Sequence, residues 1–323
     1  MKIAVILTGK LRTIKKTASY LKQNVLLDDN VHIFSCIQND TSQTEEEWNM
    51  WFSDQFGNHL KSTTWFALDK YPEWVTHRDH LLEQMDVSEA WKNYLRTSGS
   101  MIEYFQLYLA YIKLYSYEKI TGQYDYIIRT RTDTIYNKLV DFHWLQWTDK
   151  EIETRVNSIT SQLISDNIDT SPKTVLMYFM TTIISDDLIP NIKQLIAEYC
   201  PCSIDHVVNP SDSSKLGKYI REGRYILTIR KNNLYLVRRN LFHFIPSLGM
   251  IYGSLNSPYS DDNYWFNAEC QFRSACYHSC LSIFEYNTLQ DDKSLEIESL
   301  WDEKDFFIDG ICNPKMLYCV VRK

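Results

Sequence analysis

Arg129, Arg131 and Asp133 stand two residues apart at the end of an apolar run, Tyr124-Asp125-Tyr126-Ile127-Ile128, and their types and spacing suit chemistry better than any other stretch of the chain. In extended backbone, side chains two apart point to the same side. The planar fork of a guanidinium matches phosphate oxygens, and an aspartate beside phosphates is the usual holder of a divalent cation with oxygen ligands. The pattern asks for a metal and a diphosphate. Its alternative is a structural ion-pair cluster at a strand end, with Asp125, Asp133 or Asp141 as partners.

Such a group needs elements to position it, and the N-terminus supplies the first. Residues 2–8, Lys-Ile-Ala-Val-Ile-Leu-Thr, read as a strand ending at Gly9, and Lys10-Leu11-Arg12-Thr13 leads into a helix expected from Ile14 to Val25. In an open α/β sheet, ligands bind outside the carboxyl ends of strands, where helix N-termini offer N–H groups to anions. Thr8, Gly9 and Arg12 are the residues so placed. A second strand, Val31 to Ile37, follows the turn Asp28-Asp29-Asn30. No G-x-G-x-x-G or G-K-[ST] motif is present, which disfavours a dinucleotide fingerprint or a P-loop. Residues 101–120 have helical apolar spacing, with Ser100-x-x-Glu103 as a capping box and Thr121-Gly122 as the stop. That helix feeds directly into the 124–133 strand, a crossover expected of a parallel sheet covered by helices. Residues 40–100 read as a polar, Trp-rich connection with short helices at Glu45 to Phe52 and Val87 to Tyr94.

The opening strand and turn, the strand His32 to Ile37 and the stretch Tyr124 to Asp133 resemble glycosyltransferases of the GT-A fold, of the kind found in giant viruses and bacterial surface-polysaccharide loci. In those families a Y-D-x-x-I-R-x-R-x-D strand carries the equivalent of the D-x-D motif, whose last aspartate holds Mn²⁺ or Mg²⁺ against a nucleotide-sugar diphosphate. Asp133 matches that aspartate, while Arg131 stands where D-x-D has its first acid, so the motif here is R-x-D. Trp265 to Phe272 resembles the segment opening a late helix beside the acceptor, with Glu269 as the matching acid. It would take the acceptor's proton or orient the acceptor sugar; the alternative is an ordinary first-turn glutamate favoured by the helix dipole. The resemblance implies an α/β fold, a GT-A-like Rossmann-type mixed sheet flanked by helices, with an irregular α+β acceptor half. Its nucleotide-sugar half would be residues 1–136 and its acceptor half residues 137–323. The implied function is hexosyltransferase-like transfer from a nucleoside diphosphate sugar to a glycan hydroxyl, with Thr8, Gly9, Arg12, Arg129 and Arg131 at the donor.

Composition agrees. With 323 residues, of which 44% are hydrophobic and only 9 are Gly and 8 Pro, the chain can bury a large core. No signal-peptide pattern opens it, and its longest later apolar run, Val175 to Ile184, is too short for a membrane span, so a soluble, cytoplasmic protein is expected. The net charge of −7 hides an acidic segment, 285–309, of local net −7 and a basic one, 215–239, of local net +7. Within the latter, Tyr225 to Ile229 and Leu234 to Val237 flank Lys231-Asn232-Asn233, a hairpin signal. That hairpin would reach over a diphosphate or an anionic acceptor, or pair with the acidic segment. Nucleic-acid binding is disfavoured by the pI near 5.7. The eight cysteines form no C-x-x-C pair and are expected to be reduced rather than zinc-bound. A second class of function remains open, a catalytically silent nucleotide- or carbohydrate-binding protein of the same fold, motivated by the R-x-D departure.

Overall fold

The computed structural model describes residues 1–84, 86, 88–97, 99–137, 142–182, 194–198, 213–230, 232–247, 268–287, 307–309, 311–312 and 318–321. Most of the acidic segment, residues 288–306, and Cys200 and Cys202 lie outside these residues. β1 (Ile3–Lys10) passes through a short 3-10 turn into α1 (Ile14–Asn24), followed by β2 (Val31–Gln38), α2 (Glu45–Phe56) and β3 (Leu60–Phe66). Next come α3 (Pro72–Glu83), α4 (Glu89–Thr97), α5 (Gly99–Thr121), β4 (Tyr126–Arg131) and β5 (Thr134–Tyr136). α6 (Asp149–Ser165), α7 (Pro172–Thr182) and β6 (Gln194–Glu198) lead to α8 (Ser213–Glu222), β7 (Tyr225–Arg230) and β8 (Leu234–Arg238). The short α9 (Arg239–Phe242), α10 (Ala268–His278) and β9 (Ser282–Asn287) precede the small strands β10 (Phe307–Ile308), β11 (Ile311–Cys312) and β12 (Tyr318–Val320).

Eight strands form one mixed sheet in the order β3-β2-β1-β4-β8-β7-β9-β6. β3, β2, β1 and β4 are mutually parallel, β8 is antiparallel to both β4 and β7, and β9 runs parallel to β7. This is the expected mixed α/β sheet flanked by helices. Strands from beyond residue 136 extend the same sheet.

The alternation of β1 shows why helices cover both faces. Ile3, Val5 and Leu7 enter one core, shared with α1, α2, α6, α7 and α8, whereas Ala4 and Ile6 enter the other, shared with α5, α9 and α10. A central strand buried on both sides reads as a continuous apolar run. β4 alternates likewise: Tyr126 and Ile128 join the first core and Ile127 the second. Arg129 and Arg131 therefore share the side of Ile127, the side covered by α5.

Three expectations are revised. β4 ends at Arg131: the last ladder bond runs from the Thr132 amide to the Thr8 carbonyl (3.0 Å), Thr132 Oγ1 donates to the Lys10 carbonyl (2.6 Å), and the chain then leaves Asp133 in a turn rather than on the strand. α5 begins at Gly99, one residue ahead of the expected cap Ser100. Capping boxes stand at Thr44 with Glu47 and at Thr148 with Glu151. Lastly, residues 60–66, expected within a connection, form the edge strand β3. The hairpin formed by β7 and β8 is as expected, and two basic residues of the 215–239 segment that flank it are paired with helices: Arg221 of α8 with Asp149 (3.0 Å) and Arg239 of α9 with Glu118.

Candidate active site

The residues singled out in the sequence meet at the carboxyl ends of β1 and β4. Thr8, Gly9, Lys10, Arg12, Arg129, Arg131, Thr132 and Asp133 line a cleft of about 390 Å³ there, closed on its far sides by Gln38 from β2 and Ile102, Glu103 and Gln106 from α5. A larger hollow, about 710 Å³, opens at the opposite, amino ends of β1 and β4. Its Arg221 and Arg239 are committed to Asp149 and Glu118. We place the site in the smaller cleft, where strand ends, the glycine turn and the arginines converge.

Gly9 makes the turn possible. Its φ is +130°, and a Cβ built on it would lie 2.6 Å from Thr132 Oγ1. The next residues are tied down from outside, since the Arg12 amide donates to Asp40 Oδ1 (3.1 Å) and Thr17 Oγ1 on α1 donates to the Thr132 carbonyl (2.6 Å). The Arg12 amide is therefore already satisfied by a carboxylate, and the side chain of Arg12 is what faces the cleft.

The two β4 arginines have different surroundings. Arg129 is sealed from solvent and its Nη2 donates to Glu103 Oε1 (2.6 Å) and, more weakly, to Thr8 Oγ1 (3.3 Å). Its Nε and Nη1 have no partner among the described residues, and neither do the nearby hydroxyls of Tyr136 and Tyr235. Burial raises both phenols above their ordinary pKa despite the opposing field of Arg129, so they stay neutral, and among the described residues Glu103 is the acid that pairs with it. Arg131, one pleat further out, grips Asp133 with two bonds, Nε to Oδ1 (2.9 Å) and Nη2 to Oδ2 (2.8 Å). Burial lowers the pKa of Arg131, but Asp133, Glu103 and then Glu269 more than offset this, so it is raised overall.

The hairpin tip completes the wall. Because β8 runs antiparallel to β4, with Tyr235 opposite Arg129, the turn before β8 falls at the carboxyl end of β4. Asn232 there donates to Glu103 (2.8 Å), and Asn233 accepts from Arg131 Nη1 (3.2 Å). Both asparagines are buried. Sequence reasoning assigned them only a turn and gave Glu103 only a cap. An acid inside an otherwise aromatic helix, opposite an arginine on a buried strand, was the available signal.

Glu269, half-buried in the first turn of α10, acts electrostatically on Arg131. Tyr104 of α5 fixes that end of the helix by donating to the Ala268 carbonyl (2.6 Å). Six of the seven expected site residues, Thr8, Gly9, Arg12, Arg129, Arg131 and Asp133, line the cleft, and Glu269 is not among its lining residues.

Asp133, expected as a metal ligand, is here the counter-ion of Arg131, with Arg12 Nη2 a further 4.0 Å from Oδ2. Among the described residues no group of three or more His, Cys, Asp or Glu side chains could hold a metal. As arranged, the donor set does not fit a divalent cation. Cys36 and Cys276 are buried free thiols.

No family model and no curated protein matches the chain. Among solved structures, it is similar to core-mannan synthase A of Aspergillus fumigatus in a Mn/GDP form, at 12% identity and TM-score 0.30, over 86% of this chain and 66% of that one. It is also similar to a mannosyltransferase of S. cerevisiae in complex with GDP, at 11% identity and TM-score 0.28, over 86% of this chain and 62% of that one. A third is the bifunctional glycosyltransferase WbbM in its apo form, at 10% identity and TM-score 0.32, over 92% of this chain and 43% of that one. The chain thus spans less than two thirds of the length of each.

Proposed function

We propose that the protein transfers a sugar from a nucleoside diphosphate sugar to a hydroxyl of a glycan. The reading rests on the cleft and on the sequence motif, not on the distant structural likenesses. One observation carries it: four cationic side chains (Lys10, Arg12, Arg129 and Arg131) face two acidic ones (Glu103 and Asp133) at the carboxyl ends of parallel strands. The residues that line the cleft, among which Asp40 and Glu269 do not stand, carry two positive charges in excess, and such a partly enclosed lining attracts a diphosphate. Thr8 and Gly9 would lie under the nucleotide, Arg12 and Arg131 would hold the diphosphate, and Arg129 would keep Glu103 in place beneath them.

In the reaction, the bond between the anomeric carbon and the diphosphate oxygen breaks as the acceptor oxygen bonds to that carbon. The acceptor proton passes to the Glu269 carboxylate, and the nucleoside diphosphate leaves with its new charge facing the guanidinium groups. A second reading, binding without turnover, is favoured by the engagement of Asp133 with Arg131. The test is to mix the protein with UDP- and GDP-sugars and glycan acceptors and follow nucleoside diphosphate release and acceptor mass. Transfer supports the first reading. Binding with neither transfer nor donor hydrolysis supports the second, and no binding sinks both.

A further inference from the structure

The proposed donor would ordinarily bring a divalent cation with it, and the side chains around Asp133 speak against one. A cation of the Mg²⁺ kind needs oxygen ligands at about 2.0–2.1 Å and keeps the rest of its shell as water or phosphate oxygen. Asp133 offers the only carboxylate on its turn, and each of its oxygens already accepts from Arg131, at 2.9 and 2.8 Å. Arg12 stands 4.0 Å from the same carboxylate. A cation there would face two guanidinium charges at close range. The other cleft acid, Glu103, accepts from Arg129 (2.6 Å) and Asn232 (2.8 Å).

Arg131 shows the complementary property. Asp133 takes its Nε and Nη2 edge, and Asn233 takes a bond from Nη1. The guanidinium plane is therefore fixed before any ligand arrives, while the side chain keeps 30% of its surface exposed to the cleft. Arg12 is exposed by 36% on the other side of Asp133. A planar, pre-oriented guanidinium with a second one beside it presents donors to two phosphate groups.

Building on the reading above, we propose that the cleft holds the diphosphate of its donor without a divalent cation. Arg131 and Arg12 supply the positive charge, and Asp133 is the counter-ion that sets the plane of Arg131. Asp133 is then a positioning residue. Its removal weakens nucleotide binding equally whether or not a metal is present.

The experiment is calorimetric titration of the full chain with GDP and with UDP, once in EDTA and once with Mn²⁺. The expected result is binding of one of them with a Kd that agrees within about threefold between the two conditions. In EDTA, Arg131→Lys should lose about tenfold, because the charge stays and the fork goes. Asp133→Asn should lose affinity by the same factor in both conditions. An affinity of the parent protein about tenfold or more higher with Mn²⁺ overturns the proposal, and loss of that gain in Asp133→Asn would make Asp133 the metal ligand. The wild-type comparison needs no variant, so it decides even where a variant fails to fold. Absence of binding in both conditions refutes the underlying reading of the cleft instead, and the proposal falls with it.

Discussion

Replacing Glu103 by Gln isolates one charge in the interior. The amide retains an oxygen that can accept from Arg129 and Asn232, so geometry and volume are nearly kept and only the negative charge goes. Arg129 has no solvent exposure, its neighbouring phenols are held neutral by burial, and Glu103 is the acid it touches. Two unit charges about 4 Å apart attract by about 4 kcal/mol at an effective dielectric constant of about 20. Removing one partner of a buried pair costs about 3–5 kcal/mol. Because the Glu103 side chain keeps 15% exposure, the low end, about 3 kcal/mol, is expected. A chain of this length has an unfolding entropy of about 0.7 kcal/mol/K, so Tm should fall by about 4 °C. The partner substitution, Arg129→Met, should cost less, about 1–2 kcal/mol, since it leaves Glu103 with Asn232, a little solvent and Arg131 at 4.0 Å. Combining the two should return stability to within about 1 kcal/mol of Arg129→Met alone, because no sealed charge is left unpaired. Urea unfolding of the four proteins measures the cycle. Additive losses, or a Glu103→Gln protein as stable as the parent, would show that Arg129 is compensated by something other than Glu103.

The remaining expectations concern other parts of the same framework. Gly9→Ala should lose about 1–3 kcal/mol by urea unfolding, since it adds positive-φ strain to a clash with Thr132 Oγ1, an atom held by the Lys10 carbonyl; an unchanged midpoint would mean that the turn relaxes freely. Thr44→Ala removes the hydroxyl that accepts from the Glu47 amide and should cost about 1 kcal/mol, with nucleotide binding intact. Burial pushes the Cys36 thiol up to about 12 and raises that of Cys276 as well, so a thiolate-directed reagent at neutral pH should leave both unlabelled in the native protein and label them once it is unfolded in urea; peptide mapping separates them, and labelling of Cys36 as fast in the native as in the unfolded protein would contradict its burial. Glu269→Gln should suppress transfer about 100-fold while donor affinity stays within about twofold. Equal losses of both would put Glu269 in the donor site or the scaffold.

What the sequence disclosed follows from how deeply each element is buried. β1, β2, β4 and the hairpin of β7 and β8 are apolar runs bounded by turn residues, and α5 has an uninterrupted helical repeat. β3 was hidden because it is the outermost strand: Leu60-Lys-Ser-Thr-Thr-Trp-Phe66 is only half-buried apart from Phe66, so its pattern is mostly polar. α6 carries Ile152, Val156, Ile159 and Leu163 at helical spacing, a signal available in the sequence although no helix is expected there from it. In the site, the arginines and Asp133 were visible as a motif, whereas the roles of Glu103 and of Asn232 with Asn233 depend on contacts across 26 and 102 or more positions. Spacing rules reach along one element; these pairings are made by the order of strands in the sheet.

The unlike duties of Arg129 and Arg131 come from strand geometry. Both share the parity of Ile127, so both point beneath α5, and a slip of one residue in β4 would drive two guanidinium groups into the core formed by α1, α6 and α8. The cost of burying those charges makes the register that assembles the site the same register that the fold requires. Position along β4 then divides the labour. Arg129 sits one pleat deeper, where α5 seals it and Glu103 must balance it. Arg131 sits at the last residue of the strand, where the chain turns, the wall opens and the guanidinium meets the cleft while Asp133 folds back to hold its plane. An identical residue type, repeated at a spacing of two, thus yields one member that supports the site and one that can touch a ligand.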